Sequence, residues 1–362
     1  MPSVTRDLWQ VLADTDKPIL LYGMGNGADK ILDACAARGI AVADTFASDG
    51  FVRGQHFHGK RVLSRSEAEA QYGEMVVLLS FATARPDVYE SIRAVAARHT
   101  LYVPDVPVAG TDLFDLAYYT AHAQDFDAAR ALLADDTSRE VFDKILFGKL
   151  TGDLSTIFDA TCDPETVWQS LLSPERYRAY LDLGAYNGDT IRDLRARAPH
   201  LSRIFAMEPD ARNYKKLVTW AEETGVPLTA ANAAAWSADG EAVFTGSGNR
   251  NAALTPQHAT AKKNDGKRQT ISLLTPDRFL QGADVDFIKY DVEGAEAEAL
   301  RGSAETITRC APDLLVSAYH RASDLYLLPQ LLHTLEPRYK LYLRKLPSVP
   351  MWDVNLYAIA ER

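Results

Sequence analysis

The stretch from Tyr180 to Thr190 constrains the fold of this chain more than any other part of the sequence. It reads YLDLGAYNGDT, so an apolar run leads into a turn that contains Gly184 and Gly188, and a helix-like segment follows. Glycines at such a turn let the backbone approach a ligand closely, because they have no Cβ and adopt a positive φ without strain. The pattern predicts a strand, a tight turn and a helix around a ligand site.

The charge of this turn favours a cationic or zwitterionic ligand. A loop that wraps pyrophosphate uses bare backbone N–H groups at a helix N-terminus, and nearby carboxylates oppose such an anion. Here Asp182 and Asp189 flank the glycines. S-adenosylmethionine carries both a sulfonium and an ammonium group, so it fits this turn better than a dinucleotide does.

Two later strand ends supply contacts for the nucleoside part of such a ligand. Glu208 lies 20 residues beyond Gly188 and ends the next strand, where an acidic residue accepts hydrogen bonds from ribose hydroxyls. Asn232 closes the following strand, where its amide can reach the edge of an adenine, although Asn at a strand end is also ordinary turn chemistry. The predicted cofactor-binding residues are Asp182, Gly184, Ala185, Asn187, Gly188, Glu208 and Asn232.

A second informative stretch, DVDFIKYDVEGAE from Asp284 to Glu296, sets charges into a buried strand. The charged residues near its carboxyl end, where α/β sheets bind ligands, are Lys289, Asp291, Glu293 and Glu296. Such charges are costly to bury unless they are paired or functional. The carboxylates would suit Mg²⁺. Pairing with Lys289 needs no metal, however, and we therefore predict no metal site.

His320 follows the next predicted strand, from Leu314 to Ala318. If a hydroxyl group reacts at this site it must lose its proton, and a positioned base contributes roughly 10² to 10⁴ in rate. We predict that His320 is this base, as a neutral imidazole, with Asp291 and Glu293 as the other candidates. The alternative is a structural histidine that bonds to Asp291 or Tyr319.

The N-terminal part of the sequence contains another glycine turn. The strand KPILLY precedes GMGNGA, in which Gly23, Gly25 and Ala28 have the G-x-G-x-x-A spacing of a dinucleotide-binding fold. No acid precedes the first glycine, so the turn tolerates phosphate, and Asp44 and Asp49 lie near the place of a ribose contact. We predict a Rossmann-like unit that binds a nucleotide or NAD, or one whose ligand site has been lost.

These patterns divide the chain into three parts. Strands that alternate with helices predict a parallel sheet in residues 1–110. Residues 111–178 show only helical spacing of apolar residues, which predicts a helical connector whose aromatic side chains pack between domains. Residues 179–362 predict a seven-stranded α/β sheet that ends on a hairpin. Within it, short edge strands at 242–246 and 269–274 flank a polar loop, from Gly248 to Arg268. Loops of this composition commonly close over substrates, although many have no such role.

Composition excludes several classes of partner. The formal net charge of −10 over 362 residues argues against nucleic acid, because phosphate neutralisation needs a basic face. No stretch approaches the ~18 apolar residues of a membrane span, and the N-terminus MPSVTRDLW lacks the apolar core of a signal peptide. We expect a cytoplasmic protein with no membrane span. The three cysteines are far apart and form neither a disulfide framework nor a metal motif. The sequence leaves open whether the protein forms a homo-oligomer.

Four motifs of the C-terminal half resemble the FkbM-type family of S-adenosylmethionine-dependent methyltransferases. In chain order they are LDLGAYNGDT, AMEPD followed by Asn213, DFIKYDVEGAE and SAYH. The resemblance covers about half the chain, from Tyr180 to the end, and implies a class I methyltransferase fold there. Together with the patterns of residues 1–110, the predicted fold class is α/β with two Rossmann-like domains joined by the helical connector. The resemblance also implies methyl transfer, usually to an oxygen of a sugar or of a secondary metabolite.

The N-terminal domain lies outside that resemblance. It resembles the small nucleotide-binding domains that precede enzymes of bacterial cell-surface glycan biosynthesis, which implies a nucleotide-linked or polymeric sugar as the acceptor. Two other functions stay open. One is a nicotinamide-dependent sugar-modifying enzyme that works at Gly23 to Ala28, although no Tyr-x-x-x-Lys motif follows there. The other is a non-enzymatic ligand-binding module.

Overall fold

The structure is a computed structural model that describes residues 4–245, 253–255 and 268–360. Most of the polar loop predicted between Gly248 and Arg268 therefore lies outside the described residues. The described part of the chain contains no helix that is both long and apolar enough to cross a membrane.

The N-terminal part of the chain forms a parallel sheet flanked by helices. Its strands are β1 (Ile19–Tyr22), β2 (Asp44–Ala47), β3 (His56–Phe57), β4 (Lys60–Arg61), β5 (Leu63–Ser64), β6 (Val76–Leu79) and β7 (Thr100–Tyr102). Its helices are α1 (Leu8–Ala13), α2 (Asn26–Ala36), α3 (Arg65–Tyr72) and α4 (Pro86–Ala96). Five strands pair in parallel in the order β5, β2, β1, β6, β7. The strand order therefore reverses between β1 and β6, and the predicted parallel sheet is confirmed.

The connecting region is helical, as its apolar spacing predicted. Its helices are α5 (Leu116–Ala121), α6 (Ala123–Ala131), α7 (Asp136–Thr151), α8 (Leu154–Asp159) and α9 (Pro164–Leu171). The α7 helix begins where Asp135 accepts a hydrogen bond from the Ser138 amide, and it ends at Gly152 in the left-handed conformation. Phe126 packs edge-on against Tyr326 of the C-terminal part at 5.1 Å, so this predicted aromatic contact between parts of the chain is present.

The C-terminal part contains two sheets. Its strands are β8 (Ala179–Leu183), β9 (Arg203–Met207), β10 (Leu228–Ala231), β11 (Ala234–Ala235), β12 (Gly240–Thr245), β13 (Ala253–Thr255), β14 (Arg268–Leu274), β15 (Phe287–Tyr290), β16 (Asp313–Ser317), β17 (Tyr339–Lys345) and β18 (Val354–Ala360). Its helices are α10 (Asp189–Arg197), α11 (Ala211–Thr224), α12 (Pro276–Leu280), α13 (Glu296–Arg301), α14 (Ala304–Cys310) and α15 (Asp324–Leu335).

The larger of these sheets positions the candidate site. It has seven strands in the order β10, β9, β8, β15, β16, β18, β17, and β18 runs antiparallel to both of its neighbours. The predicted seven-stranded sheet and closing hairpin are therefore confirmed. The strand order reverses between β8 and β15, which places the carboxyl ends of these strands on either side of a crevice.

One local prediction was wrong, and another gains detail. The strand predicted from Ile40 to Phe46 begins only at Asp44, so Asp44 lies at the amino end of β2, away from the edge where a ribose would bind. The two segments predicted as short edge strands, β12 and β14, are strands, and they pair with each other in a separate four-stranded sheet that also contains β11 and β13. Strand propensity located these segments but carried no information about which sheet they join.

One buried apolar cluster extends through all three parts of the chain. Its members include Phe46 of the N-terminal sheet, Phe142 of α7 and Leu341 of β17. Because this core is shared, the fold does not itself mark where one domain ends, and the boundaries at 110 and 178 stay predictions.

Candidate active site

The glycine turn after β8 is held against the end of β15. Gly184 has φ +84° and Gly188 has φ +83°, a region that side-chain-bearing residues rarely adopt. A Cβ on Gly184 would lie 1.9 Å from the carbonyl oxygen of Asp291, and one on Gly188 would lie 2.9 Å from the Leu217 side chain. Both glycines are thus required by contacts within the chain, and these contacts fix the turn beside Asp291.

Glu208 joins the end of β9 to this turn. Its side chain is buried, with one carboxylate oxygen accepting from the Tyr186 amide at 2.8 Å and the other from the Asp210 amide at 2.9 Å. Burial raises the pKa of Glu208 to about 7, although both amide hydrogen bonds oppose this shift. Each oxygen keeps a second lone pair. The carboxylate can therefore still accept hydroxyl hydrogens at the position that the sequence predicted.

Asp182 lies beneath the turn. It is fully buried, and its Oδ2 accepts a hydrogen bond from the Thr190 hydroxyl at 2.6 Å. Its Oδ1 lies 3.8 Å from the Lys289 ammonium and accepts no hydrogen bond of standard geometry from the described residues. Burial raises the pKa of Asp182, and Lys289 acts in the opposite direction. The site thus contains a buried, incompletely satisfied carboxylate that favours a nearby positive charge.

The remaining predicted cofactor residues surround the same turn. The Ala185 amide donates to the Met207 carbonyl at 3.2 Å, which ties the turn to β9. The Asn187 carbonyl accepts from the Arg192 guanidinium at 2.9 Å. Asn232 uses its side-chain amide to donate to the backbone carbonyl of Glu208 at 2.8 Å. Its direct contact here is thus with the Glu208 backbone, and its contact with adenine stays a prediction.

The end of β15 carries a paired set of charges. The Lys289 ammonium donates to Asp291 at 3.3 Å, and the Ser317 hydroxyl donates to the other Asp291 oxygen at 3.0 Å. Burial alone would raise the pKa of Asp291, but Lys289 and His320 lower it overall. Glu293, two residues further on, has φ +54°, an uncommon conformation that turns the chain sharply after β15. Asp291 is therefore an ionised carboxylate held between two cations.

His320 is fully buried at the end of β16, and its partner is Glu296 rather than Asp291 or Tyr319. Its Nδ1 lies 2.9 Å from the Glu296 carboxylate. Its Nε2 lies 3.6 Å from oxygens of both Asp291 and Glu293, and it has no hydrogen-bond partner among the described residues. Nδ1 is thus held by Glu296, and Nε2 faces the carboxylates of Asp291 and Glu293.

The protonation state predicted for His320 was wrong. Burial disfavours the charged ring, but the carboxylates of Glu296, Asp291 and Glu293 outweigh it and raise the pKa of His320 to about 10. The ring is therefore an imidazolium at neutral pH in the free protein, whereas the sequence suggested a neutral imidazole. The error arose because these carboxylates reach the ring only through folding.

Two carboxylates of this network were not singled out as catalytic by the sequence. Glu296 begins α13, and the same oxygen that faces His320 also accepts from the Val292 amide at 3.0 Å, so it organises the turn after β15. Its position in the motif DVEGAE was the available signal. Asp324 is buried and accepts from the Arg321 amide at 2.8 Å, while burial and the charge of Glu296 raise its pKa. Nothing in the local sequence distinguishes Asp324 from an ordinary first-turn acid.

The same cluster has the spacing of a cation site. Asp291, Glu296 and His320 each offer one ligand atom, and these atoms lie within 4.8 Å of one another. The Glu296 and His320 atoms are already joined by a hydrogen bond, and Lys289 and His320 supply positive charge. The cluster is therefore internally balanced, and the absence of a metal stays a prediction.

Two glycines of the N-terminal turn, Gly23 and Gly27, are in close contact with other parts of the chain. A Cβ on Gly23 would lie 2.5 Å from the Phe81 ring, and one on Gly27 would lie 2.6 Å from the Ser80 carbonyl oxygen. Asp49, the other predicted ribose contact, accepts hydrogen bonds from the Ser66 amide and hydroxyl. The space next to Gly23, the first glycine of the predicted fingerprint, is thus occupied by the end of β6, whereas Gly25 faces open space, and nucleotide binding at this turn stays a prediction.

The seven-stranded sheet with its final antiparallel hairpin, and the glycine turn and acid at its switch point, have the arrangement of the class I methyltransferase fold. Residues 182–339 match the family model described as the methyltransferase FkbM domain. This match covers 158 of the 362 residues, so this part of the chain is similar to the FkbM methyltransferase domain.

Solved structures resemble the chain to different extents. Methyltransferase FkbM from Methylobacillus flagellatus KT is 20% identical, with a TM-score of 0.70 over 99% of this chain and 94% of that one, so the two share a fold along their length. Fibrillarin from Aeropyrum pernix, solved with natively bound S-adenosyl-L-methionine, is 13% identical over 54% of this chain and 72% of that one, with a TM-score of 0.34. No curated protein matches the chain.

Proposed function

We propose that this methyltransferase uses S-adenosylmethionine to methylate a hydroxyl oxygen of a sugar or glycan-related acceptor. The observation that carries the proposal is the His320–Glu296 pair at the end of β16, which faces Asp291 beside the glycine turn. Once deprotonated, His320 is a proton acceptor next to the predicted cofactor site. A hydroxyl acceptor needs such a group, whereas a more acidic acceptor would not.

The residues around the turn after β8 fit a cationic nucleoside. Glu208 presents a carboxylate for the ribose hydroxyls, and the buried Oδ1 of Asp182 lacks a full set of partners. Carboxylates in a low-dielectric site favour a nearby positive charge. When bound there, S-adenosylmethionine supplies an electrophilic methyl group on a positively charged sulfur.

In this proposal His320 accepts the acceptor's proton at Nε2. Glu296 holds Nδ1 at 2.9 Å and so fixes both the tautomer and the orientation of the ring. Before it can act as a base, His320 must lose the proton that its carboxylate neighbours retain on it. A positive charge near Asp291 opposes the protonated ring, so cofactor binding lowers the pKa of His320 toward neutrality.

Asp291 and Glu293 have a supporting catalytic role in the same step. Each places a carboxylate oxygen 3.6 Å from Nε2, where it stabilises the imidazolium that forms when the acceptor is deprotonated. The Glu293 side chain is 37% exposed, compared with 1% for Glu296. Glu293 is therefore the carboxylate through which the proton can pass to solvent.

A transfer assay with matched histidine variants tests this function. S-adenosylhomocysteine formation would be followed by mass spectrometry with methyl glycosides and nucleotide sugars as acceptors. His320→Asn should lower the rate about 100-fold or more. His333→Asn, an exposed histidine in the last turn of α15, should leave it unchanged. Equal rates for native protein and His320→Asn would refute the assigned base.

A further inference from the structure

A cavity lies between the N-terminal sheet and the methyltransferase sheet. Its volume is about 170 Å³, and it is lined by the turn after β1, the end of β6, the segment after β7 and the loop between β17 and β18. Asn26 and Phe81 line it from the N-terminal part, and Trp352 lines it from the C-terminal part. This interdomain cavity is located where the order of the N-terminal sheet reverses, between β1 and β6. Open parallel sheets bind ligands at such a point.

The interdomain cavity is partly open to solvent, and its volume is that of a single ring. A protein cavity of ~150 Å³ accommodates a benzene molecule, whereas sites for drug-sized ligands span roughly 300–1,000 Å³. Most of a dinucleotide would therefore lie outside the cavity. The space next to Gly23 and Gly27 is also filled, by the Phe81 ring and by the Ser80 carbonyl. A six-membered ring fits the remaining volume.

The lining of the interdomain cavity favours an uncharged ring. None of the described residues that line it is charged, and most are apolar or aromatic. Its polar side chains are Asn26 and Ser80, and the Ser80 hydroxyl already donates to the Tyr22 carbonyl at 3.0 Å. A charged group would lose its hydration here without gaining a counter-ion. The carbon-hydrogen face of a sugar ring can instead stack on the Trp352 indole while Asn26 meets a hydroxyl.

The interdomain cavity adjoins the candidate active site by direct contacts. Trp352 stacks on Tyr319 at 6.2 Å, and the Tyr319 ring lies 4.2 Å from the His320 ring. The segment after β7 makes a second connection: Val106 lines the cavity, and the Ala109 amide donates to the His320 carbonyl at 2.8 Å.

Lys30 of α2 makes a third connection. It precedes Ile31, which lines the cavity, and its ammonium donates to the carbonyls of Pro107 and Val108 at 2.6 and 2.8 Å. Burial lowers the pKa of Lys30, and the carboxylate of Glu293 partly offsets that effect. The charge of Lys30 therefore interacts with a carboxylate that faces His320.

We infer that the interdomain cavity binds one uncharged sugar ring of the acceptor, adjacent to the hydroxyl that is methylated. The N-terminal part then serves as the acceptor-recognition half of the enzyme. This inference rests on the proposed function, because it assigns the acceptor of the same reaction.

The test measures glycoside binding to the protein saturated with S-adenosylhomocysteine. Methyl glycosides of glucose, galactose and mannose would be titrated by saturation-transfer NMR, with glucose 6-phosphate and benzyl alcohol as comparison probes. Two variants alter the cavity: Trp352→Ala removes the stacking surface, and Ala82→Leu fills the rim. Ala84→Leu, which is exposed and does not line the cavity, is the matched control.

We expect at least one glycoside to bind, with a Kd that rises about tenfold in Trp352→Ala and Ala82→Leu and stays unchanged in Ala84→Leu. Tighter binding of glucose 6-phosphate or benzyl alcohol would overturn the inference, as would equal glycoside affinity in all four proteins or no glycoside binding at all. If the native protein does not bind S-adenosylhomocysteine, the proposed function is refuted instead. The two failures are therefore distinguishable.

Discussion

Replacing Glu296 by Gln should lower the pKa of His320 without removing the hydrogen bond that orients it. Gln keeps an oxygen that accepts from Nδ1 and from the Val292 amide, but it removes the negative charge at 2.9 Å. A hydrogen bond to a charged group contributes roughly 1.5–3 kcal/mol, and one pKa unit corresponds to about 1.4 kcal/mol. The pKa of His320, raised to about 10 in the native protein, should fall by roughly one to two units.

Histidine NMR measures this shift directly. The protein has 8 histidines, and the His320 resonance is assigned by its loss in His320→Asn. The native titration should have its midpoint near pH 10, and the Glu296→Gln midpoint should lie below it. A midpoint near the ordinary 6.5 in the native protein, or an unchanged midpoint in the variant, would refute the electrostatic reasoning.

The same shift has a consequence for stability. Because the folded pKa of His320 lies above 6.5, its imidazolium stabilises the fold fully below about pH 6.5, and this stabilisation is lost as pH rises through about 10. Urea unfolding of the native protein should therefore show a decline in this interval. Glu296→Gln should show a smaller decline, since less of the pKa shift remains to be lost.

Three further predictions concern the cofactor, the turn and metals. The affinity for S-adenosylmethionine should rise from pH 7 to pH 9 more than the affinity for neutral S-adenosylhomocysteine does, because the sulfonium and the His320 imidazolium repel each other. Calorimetry in buffers of different ionisation enthalpy should show that binding of S-adenosylmethionine releases more protons than binding of S-adenosylhomocysteine. Equal proton release for the two ligands would contradict this prediction. Gly184→Ala should lower the free energy of unfolding, measured by chemical denaturation, by about 3 kcal/mol or more. The control is Gly225→Ala, which should lower it by about 1–2 kcal/mol, because Gly225 also has a positive φ but has open space around it. Equal losses in the two variants would contradict the close contact between Gly184 and Asp291. EDTA should leave the transfer rate unchanged, and a rate restored only by Mg²⁺ would contradict the predicted absence of a metal.

Local sequence patterns were sufficient for the sheet and for the positions around the cofactor turn. The strand, glycine and acid spacing of Gly184, Gly188 and Glu208 is set by short-range geometry, and the structure has the same arrangement. The strand order could be anticipated because alternating strands and helices have few allowed connections. The start of β2 could not be predicted, because the apolar run begins at Ile40, four residues before the first paired residue, Asp44.

The chemistry of His320 depends on contacts that no local pattern contains. Glu296 and His320 are 24 residues apart, and they meet because Glu293 adopts a positive φ that turns the chain back after β15. The charge of the ring then follows from three carboxylates that only the fold brings together. The proximity of Trp352 to the N-terminal glycine turn is likewise a tertiary contact.

Calorimetric titration with S-adenosylhomocysteine tests the central claim most directly. The native protein should bind with micromolar affinity, and Glu208→Gln should weaken binding about 10- to 100-fold, because a charged acceptor for the ribose hydroxyls becomes neutral. Glu223→Gln, an exposed position on α11, should bind like the native protein. A native protein that is folded but does not bind S-adenosylhomocysteine, or a Glu208→Gln variant of unchanged affinity, would contradict the account.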